Sequence, residues 1–387
     1  MSILVTILVL MAFQFTTTMT MSFILSVSPA IADYFKISIT MVPYLNIGFI
    51  ASGILVPLFG YFADKRGLKY IMVLGTFIFS LGALLTAFAT TPFIYFLSRM
   101  VIGIGHNVFF ALVAVYYAKL VDPKILVKVS GYFKLAFAIG ILAAPIVGAI
   151  TVRYFSFQSF YLFSFALSLI FALFITRIPD IKNVHTKAVT IQDFKALFKI
   201  RFVKWLLIST FFLAIAPNTI FSFLSIYLNS IGETQESISF IYTIVGLGTV
   251  GSGFVIIMLG HKYKFVDLLK FGIIGIILAM PFIFTLKPWI LVPASFAFAL
   301  SFDLVLGVLY PIASSMPVKN TASLTALLSL TMSITSLFAS FVNPILYQLS
   351  GFRLLIGIVF IASILGYFAI RKSFRLVDEH KLSESIN

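Results

Sequence analysis

Three ionisable side chains stand inside long apolar runs, and they are where this chain could do chemistry. Of its twelve acids, only Asp303 falls within the interior of such a run, fourteen residues past Trp289. His106 lies thirteen residues past Phe93, at a similar depth. Arg99 is six residues past Phe93, ~9 Å in at ~1.5 Å per helical residue. An ionisable group at such depth is expensive and marks a functional site by default. A carboxyl there can take up and release a proton as its surroundings change, and with His106 beside it the two would titrate as a unit. Asp303 and His106 are therefore the candidate proton-coupling residues. Arg99 and His106 are seven apart, so one helix face carries both; Asp303 and Tyr310 share the same spacing. With the amides Gln14, Asn107 and Asn218, they form the candidate substrate cavity: Arg99, His106, Asn107, Gln14, Asn218, Asp303 and Tyr310. The competing readings are structural: an Asp–His or Asp–Arg pair that only holds helices, or an arginine that snorkels to the interface.

Other chemistries lack their residues. Cysteine is absent, so there is no disulfide framework and no thiolate site. The remaining histidines, His185, His261 and His380, are far apart in loops, and no metal-ligand spacing occurs. Gly246-Leu247-Gly248-Thr249-Val250-Gly251 spells a nucleotide fingerprint, but inside an apolar run it reads as helix packing. No P-loop is present. Neither metal, cofactor nor ATP is expected. With no visible nucleophile–base pair, an enzyme is not expected either.

The elements that position these groups are membrane spans. Hydrophobic residues make up 61% of the 387, and only 10% are charged, against roughly 25% in a soluble domain. A span needs ~20 mostly apolar residues. Twelve are read at 4–26, 41–62, 70–90, 93–118, 131–151, 157–176, 205–228, 238–259, 269–286, 289–315, 323–347 and 353–370. The first lacks a basic leader and is too long for a signal core, so it is expected to be retained. Most of the 45 Phe read as lipid-facing or packing residues.

The longest polar stretch holds Arg177, Lys182, Lys187, Lys195, Lys199, Arg201 and Lys204, and divides the chain into two sets of six spans. The expected organisation is a bundle over 1–176, a basic linker over 177–204, a second bundle over 205–371 and a tail over 372–387. Placing both termini in the cytoplasm puts 22 Lys and Arg on that side and 4 on the other, with Arg99 inside a span. That distribution explains the net charge of +15 without nucleic acid, for which no base-stacking platform is visible.

Three runs carry a resemblance. Gly60-Tyr61-Phe62-Ala63-Asp64-Lys65-Arg66-Gly67-Leu68-Lys69, between the second and third spans, resembles motif A of the major facilitator superfamily: Gly60, Ala63, Asp64, Lys65, Gly67 and Lys69 match, and Phe62 and Leu68 depart. In the fifth span, Gly131, Gly140, Ala144-Pro145 and Gly148-Ala149 keep the register of the antiporter motif C, with two glycines replaced by alanine. Arg99-Met100-Val101-Ile102-Gly103 resembles motif B, with Ile102 where glutamine is usual.

The resemblance implies an all-α membrane protein with twelve transmembrane helices in two six-helix bundles, similar to the drug:proton antiporter branch. It implies that spans 1, 4, 7 and 10 line a central cavity, where the polar residues fall. It also implies that Asp64 meets the start of span 11, near Asn320, Thr321 and Ser323, as a clasp between the halves. The expected activity is proton-coupled export by alternating access in the cell membrane. The chain is expected to act as a monomer, with a small molecule, protons and the bilayer as its partners. The substrate is either amphipathic drugs or a polar, anionic metabolite such as a metallophore. An importer, a lipid flippase and a nutrient sensor on the same fold are the alternatives.

Overall fold

A computed structural model describes residues 1–181, 191–259, 262–318 and 321–386. Every regular element among them is helical: α1 (Ile3–Ser26), α2 (Ser28–Phe35), α3 (Val42–Leu45), α4 (Ile47–Ala51), α5 (Val56–Arg66), α6 (Leu68–Ala87), α7 (Pro92–Leu120), α8 (Pro123–Tyr154), α9 (Phe157–Ile175), α10 (Ile191–Lys199), α11 (Arg201–Ser230), α12 (Gln235–Leu259), α13 (Phe265–Phe284), α14 (Pro288–Ser314) and α15 (Thr321–Ile386), with short 3-10 turns at Ile39–Met41 and Ser52–Leu55. Ten of the described helices are long and apolar enough to cross a membrane. Side chains such as Leu278, Phe282 and Trp289 are exposed on them. In lipid, that exposure is the normal state of an apolar side chain, because acyl chains are as apolar as leucine.

Two departures explain why ten helices serve twelve spans. The second span is broken. Pro43 and Pro57 stand in the first turns of α3 and α5, and a separate bend of 109° lies ahead of this span, between α2 and the stretch Ile39–Leu55. Proline donates no hydrogen bond and clashes with the preceding turn, so an apolar run with two of them folds as short segments. The eleventh and twelfth spans, in contrast, fall within the single 66-residue α15. Its helical geometry fails at Ser350 and at Gly351, whose φ of 68° is left-handed, and this separates a limb over 321–349 from one over 352–386. The basic linker also contains an element that its polarity hid, the amphipathic α10.

The chain divides into two compact units. One comprises Met1–Ala188 with Leu224–Gly246, and the other Val189–Phe223 with Leu247–Asn387. The first unit's core is aromatic: Phe13 meets Phe79 and Phe109 edge-on, and Phe23 stacks on Phe160 at 3.6 Å. Glycine brings α6 and α7 together, since a methyl on Gly82 would strike the backbone of Ile102. In the second unit α13 and α14 pack the same way, with Gly272 against Ser301 and Val305.

Candidate functional site

Among the described side chains, Arg99, His106 and Asp303 are the only buried Arg, Lys, His, Asp or Glu. The first two belong to the first unit and Asp303 to the second.

Arg99 sits near the start of α7, which Thr91 caps by accepting a hydrogen bond from the Ile94 amide. Its side chain is fully buried. Nε and Nη2 both donate to Asn46 Oδ1, at 3.2 and 2.7 Å. Nη1 donates to the Thr20 carbonyl at 3.2 Å and Nη2 to the Met21 carbonyl at 3.3 Å. The guanidinium also lies over the Phe49 ring, 5.0 Å from its centre. The arginine does not snorkel. Its charge is solvated by neutral oxygens from α1 and from Asn46 at the break between α3 and α4. The hydroxyls of Tyr95 and Tyr161, 2.8 Å apart, lie within its electrostatic reach.

The Phe49 ring joins this group to the next. Its centre is 5.5 Å from the His106 ring, whose other face stacks on Phe110 at 6.0 Å. Phe49 thus lies beside both Arg99 and His106. His106 is buried between aromatics, and its Nδ1 has no hydrogen-bond partner. Beside it, Asn107 donates to Ser52 Oγ at 2.9 Å, and Ser52 donates to the Phe49 carbonyl at 2.6 Å. Gln14, fully buried in α1, donates to Thr18 Oγ1 at 2.9 Å and leaves Oε1 without a partner.

The residues around these groups follow the local sequence. Gly67, between α5 and α6, has a φ of 102°, a conformation few side chains tolerate. Gly60 has open space beside it, Lys65 is exposed and Lys69 is half-buried. The Asp64 side chain lies outside the described residues, as do Asn320 and the Thr321 side chain, so the expected clasp falls there too. In α8, Gly140 rests on the Phe15 carbonyl and Thr18 of α1, Gly148 rests on Val27 and Ser26, and Pro145 is inside the helix. Gly131 has nothing within 4 Å of where a Cβ would stand. Gly246 of α12 packs on the backbone of Leu142, so part of the glycine run does serve helix packing.

In the second unit Asp303 is 7% exposed on α14, and Thr249 of α12 donates its hydroxyl to Oδ2 at 2.7 Å. Tyr310 shares a hydrogen bond with Ser329 at 3.1 Å and reaches Met332 Sδ at 3.6 Å. Asn218 donates to Ser336 at 2.7 Å, and Asn343 donates to Thr219 at 2.9 Å. Sequence reasoning missed Asn46, Ser52 and Thr249. Only the first left a signal: an arginine this deep requires acceptors, and Asn46 lies between Pro43 and Pro57.

Each unit is built of apolar helices, and among the described side chains the buried ionisable groups lie on α7 and α14. The model of the Major Facilitator Superfamily matches residues 10–322, and the chain belongs to that family. By family and by its apolar helices it is a multi-pass membrane protein. It is 28% identical over 218 residues to Multidrug resistance protein 1 of Bacillus subtilis (strain 168), covering 54% of this chain and 56% of that protein. It is 29% identical over 233 residues to the Sialic acid transporter NanX of Escherichia coli (strain K12), covering 57% of this chain and 56% of that one. The chain thus spans little more than half the length of these relatives. A crystal structure of a D-xylose-proton symporter superposes with a TM-score of 0.78 at 14% identity, over 94% of this chain and 97% of that one, a likeness of fold.

Proposed function

We propose that the protein is a proton-coupled exporter of a small molecule, working by alternating access. The observation that carries this reading is Asp303, the one buried carboxylate among the described side chains, which sits in a membrane-spanning helix and accepts a hydrogen bond from Thr249. In this reading Asp303 is the coupling group. A proton and a substrate exclude one another at the carboxylate, which is the simplest route to antiport. His106, with a buried nitrogen that has no partner, is the second titrating group. Gln14, Asn107, Asn218 and Tyr310 are the polar groups this reading assigns to substrate. Arg99, whose guanidinium is already occupied by Asn46, Thr20 and Met21, supports it from behind. Gly60, Asp64, Lys65, Gly67 and Lys69 act in the conformational change, with Asp64 as the clasp.

The register of Gly131, Gly140, Pro145 and Gly148 favours export over import. So does the similarity to the Bacillus multidrug resistance proteins. The similarity to a sialic acid transporter, together with a buried cation that has no acidic partner, favours an anionic substrate as the second reading. The 22-to-4 distribution of basic residues supports a reading with both termini cytoplasmic in the cell membrane, and the proposed working unit is a monomer. Inside-out vesicles with an acidic lumen test the direction. A cationic dye or an acidic sugar taken up only while the gradient stands supports export. Uptake that needs the opposite gradient contradicts it.

A further inference from the structure

The bond from Thr249 to Asp303 has a consequence of its own. Thr249 belongs to α12, three residues past Gly246, where that helix passes from one compact unit to the other. On one side of it Gly248 rests on the Phe296 carbonyl and Ala299, and on the other Gly251 meets Leu300. These contacts seat α12 against α14 just before Asp303, so the Thr249 hydroxyl is brought to the carboxylate by packing on both sides. It reaches Oδ2 at 2.7 Å, a well-formed hydroxyl hydrogen bond.

We infer that Thr249 is the positioning residue of the coupling carboxylate: its hydroxyl fixes the orientation of Asp303 and stabilises the charged form. This rests on the coupling role proposed for Asp303. A hydrogen bond donated to a carboxylate favours its ionised state, and a neutral acid accepts the same bond more weakly.

Other charged and titratable groups lie on the helices neighbouring α14 in the chain. Glu236 opens α12, thirteen residues and about 20 Å along the helix from Thr249, and Tyr242 accepts a hydrogen bond from the Ser225 amide. On α13, Lys270 lies two residues before Gly272, and it is paired with Asp267 at 3.9 Å. On α11, Arg201 and Lys204 lie in the first turn and Tyr227 in the last, while Phe221 makes the ring contacts to Phe298 and Phe302. The first limb of α15 carries Tyr347, which packs on Phe223, and Tyr310 of α14 itself bonds Ser329.

The test needs no substrate, because the proton is the probe. The full chain in lipid is titrated while its protonated-carboxyl carbonyl stretch is followed by infrared difference spectroscopy. The Asp303 band is identified by its loss in Asp303→Asn. Thr249→Val keeps the branched shape and removes the donor; Thr249→Ser keeps the donor. The band should persist to higher pH in Thr249→Val by about one unit, about tenfold in proton affinity, and return near the wild-type midpoint in Thr249→Ser. An unmoved midpoint in Thr249→Val, or equal shifts in both variants, overturns the inference and leaves the role of Asp303 standing. If no titrating band depends on Asp303, the coupling reading falls and takes this inference with it.

Discussion

The two buried charges of this protein are held in opposite ways. Arg99 has its donors spread over four contacts to Asn46, Thr20 and Met21, with an aromatic face below it. All these acceptors are neutral, and two are main-chain carbonyls of α1. Asp303 is set by a hydroxyl from a neighbouring helix. A guanidinium keeps its proton under all ordinary conditions, so enclosing it in fixed dipoles yields a permanent charge and a rigid joint. A carboxyl changes charge when it takes a proton, and its surroundings must accept both states. The first unit's ion braces α7 against α1 and the α3–α4 break, and the second unit's ion is a carboxyl, which the proposed coupling role requires to change charge. His106 lies between these cases, sharing Phe49 with Arg99 but leaving a nitrogen unpaired.

The comparison breaks most readily at the brace. Arg99→Ala would strand Asn46 Oδ1 in the interior and open a cavity beside Phe49. A loss of about 2–4 kcal/mol follows from the unsatisfied acceptor and the missing volume. The thermal midpoint of the purified variant in detergent should fall sharply, with Arg99→Lys intermediate because it keeps the charge and loses the planar fork. Full stability with transport abolished would instead make Arg99 a substrate ligand.

A smaller effect sharpens the packing side of the argument. Gly140 and Gly131 belong to one motif on α8, yet only the first has a neighbour. A Cβ on Gly140 would come within 2.8 Å of the Phe15 carbonyl and 2.9 Å of Thr18, so Gly140→Val should destabilise by about 1–3 kcal/mol. Gly131→Ala should be neutral or slightly stabilising, since alanine favours helix over glycine. The same thermal measurement checks both. Equal effects would mean that the α1–α8 contact does not decide the role of these glycines.

What could be read in advance follows the same division. Arg99, His106 and Asp303 were legible because one ionisable residue in twenty apolar ones stands out whatever its neighbours. Asn46, Ser52 and Thr249 were not. Uncharged polar residues occur throughout these spans, as in Thr16-Thr17-Thr18 of α1, and nothing local says which of them meets a charge. The span count was legible from apolar length alone, but the break in the second span was not. Its prolines were visible, yet the length of the run outweighed them. Gly351 marked the turn between the last two spans, even though helix continues on both sides of it. The nine residues of α10 were too few, and too basic, for a 3.6-residue period to emerge from the linker.

The central claim is that Asp303 switches. Asp303→Asn keeps the shape, still accepts from Thr249 and cannot titrate. In proteoliposomes with matched protein, using the substrate that the vesicle assay identifies, two modes should be measured side by side: accumulation driven by a pH gradient, and exchange down the substrate's own gradient. Accumulation should be abolished while exchange persists. A variant that still accumulates substrate against its gradient would contradict it, and coupling would then have to pass through His106.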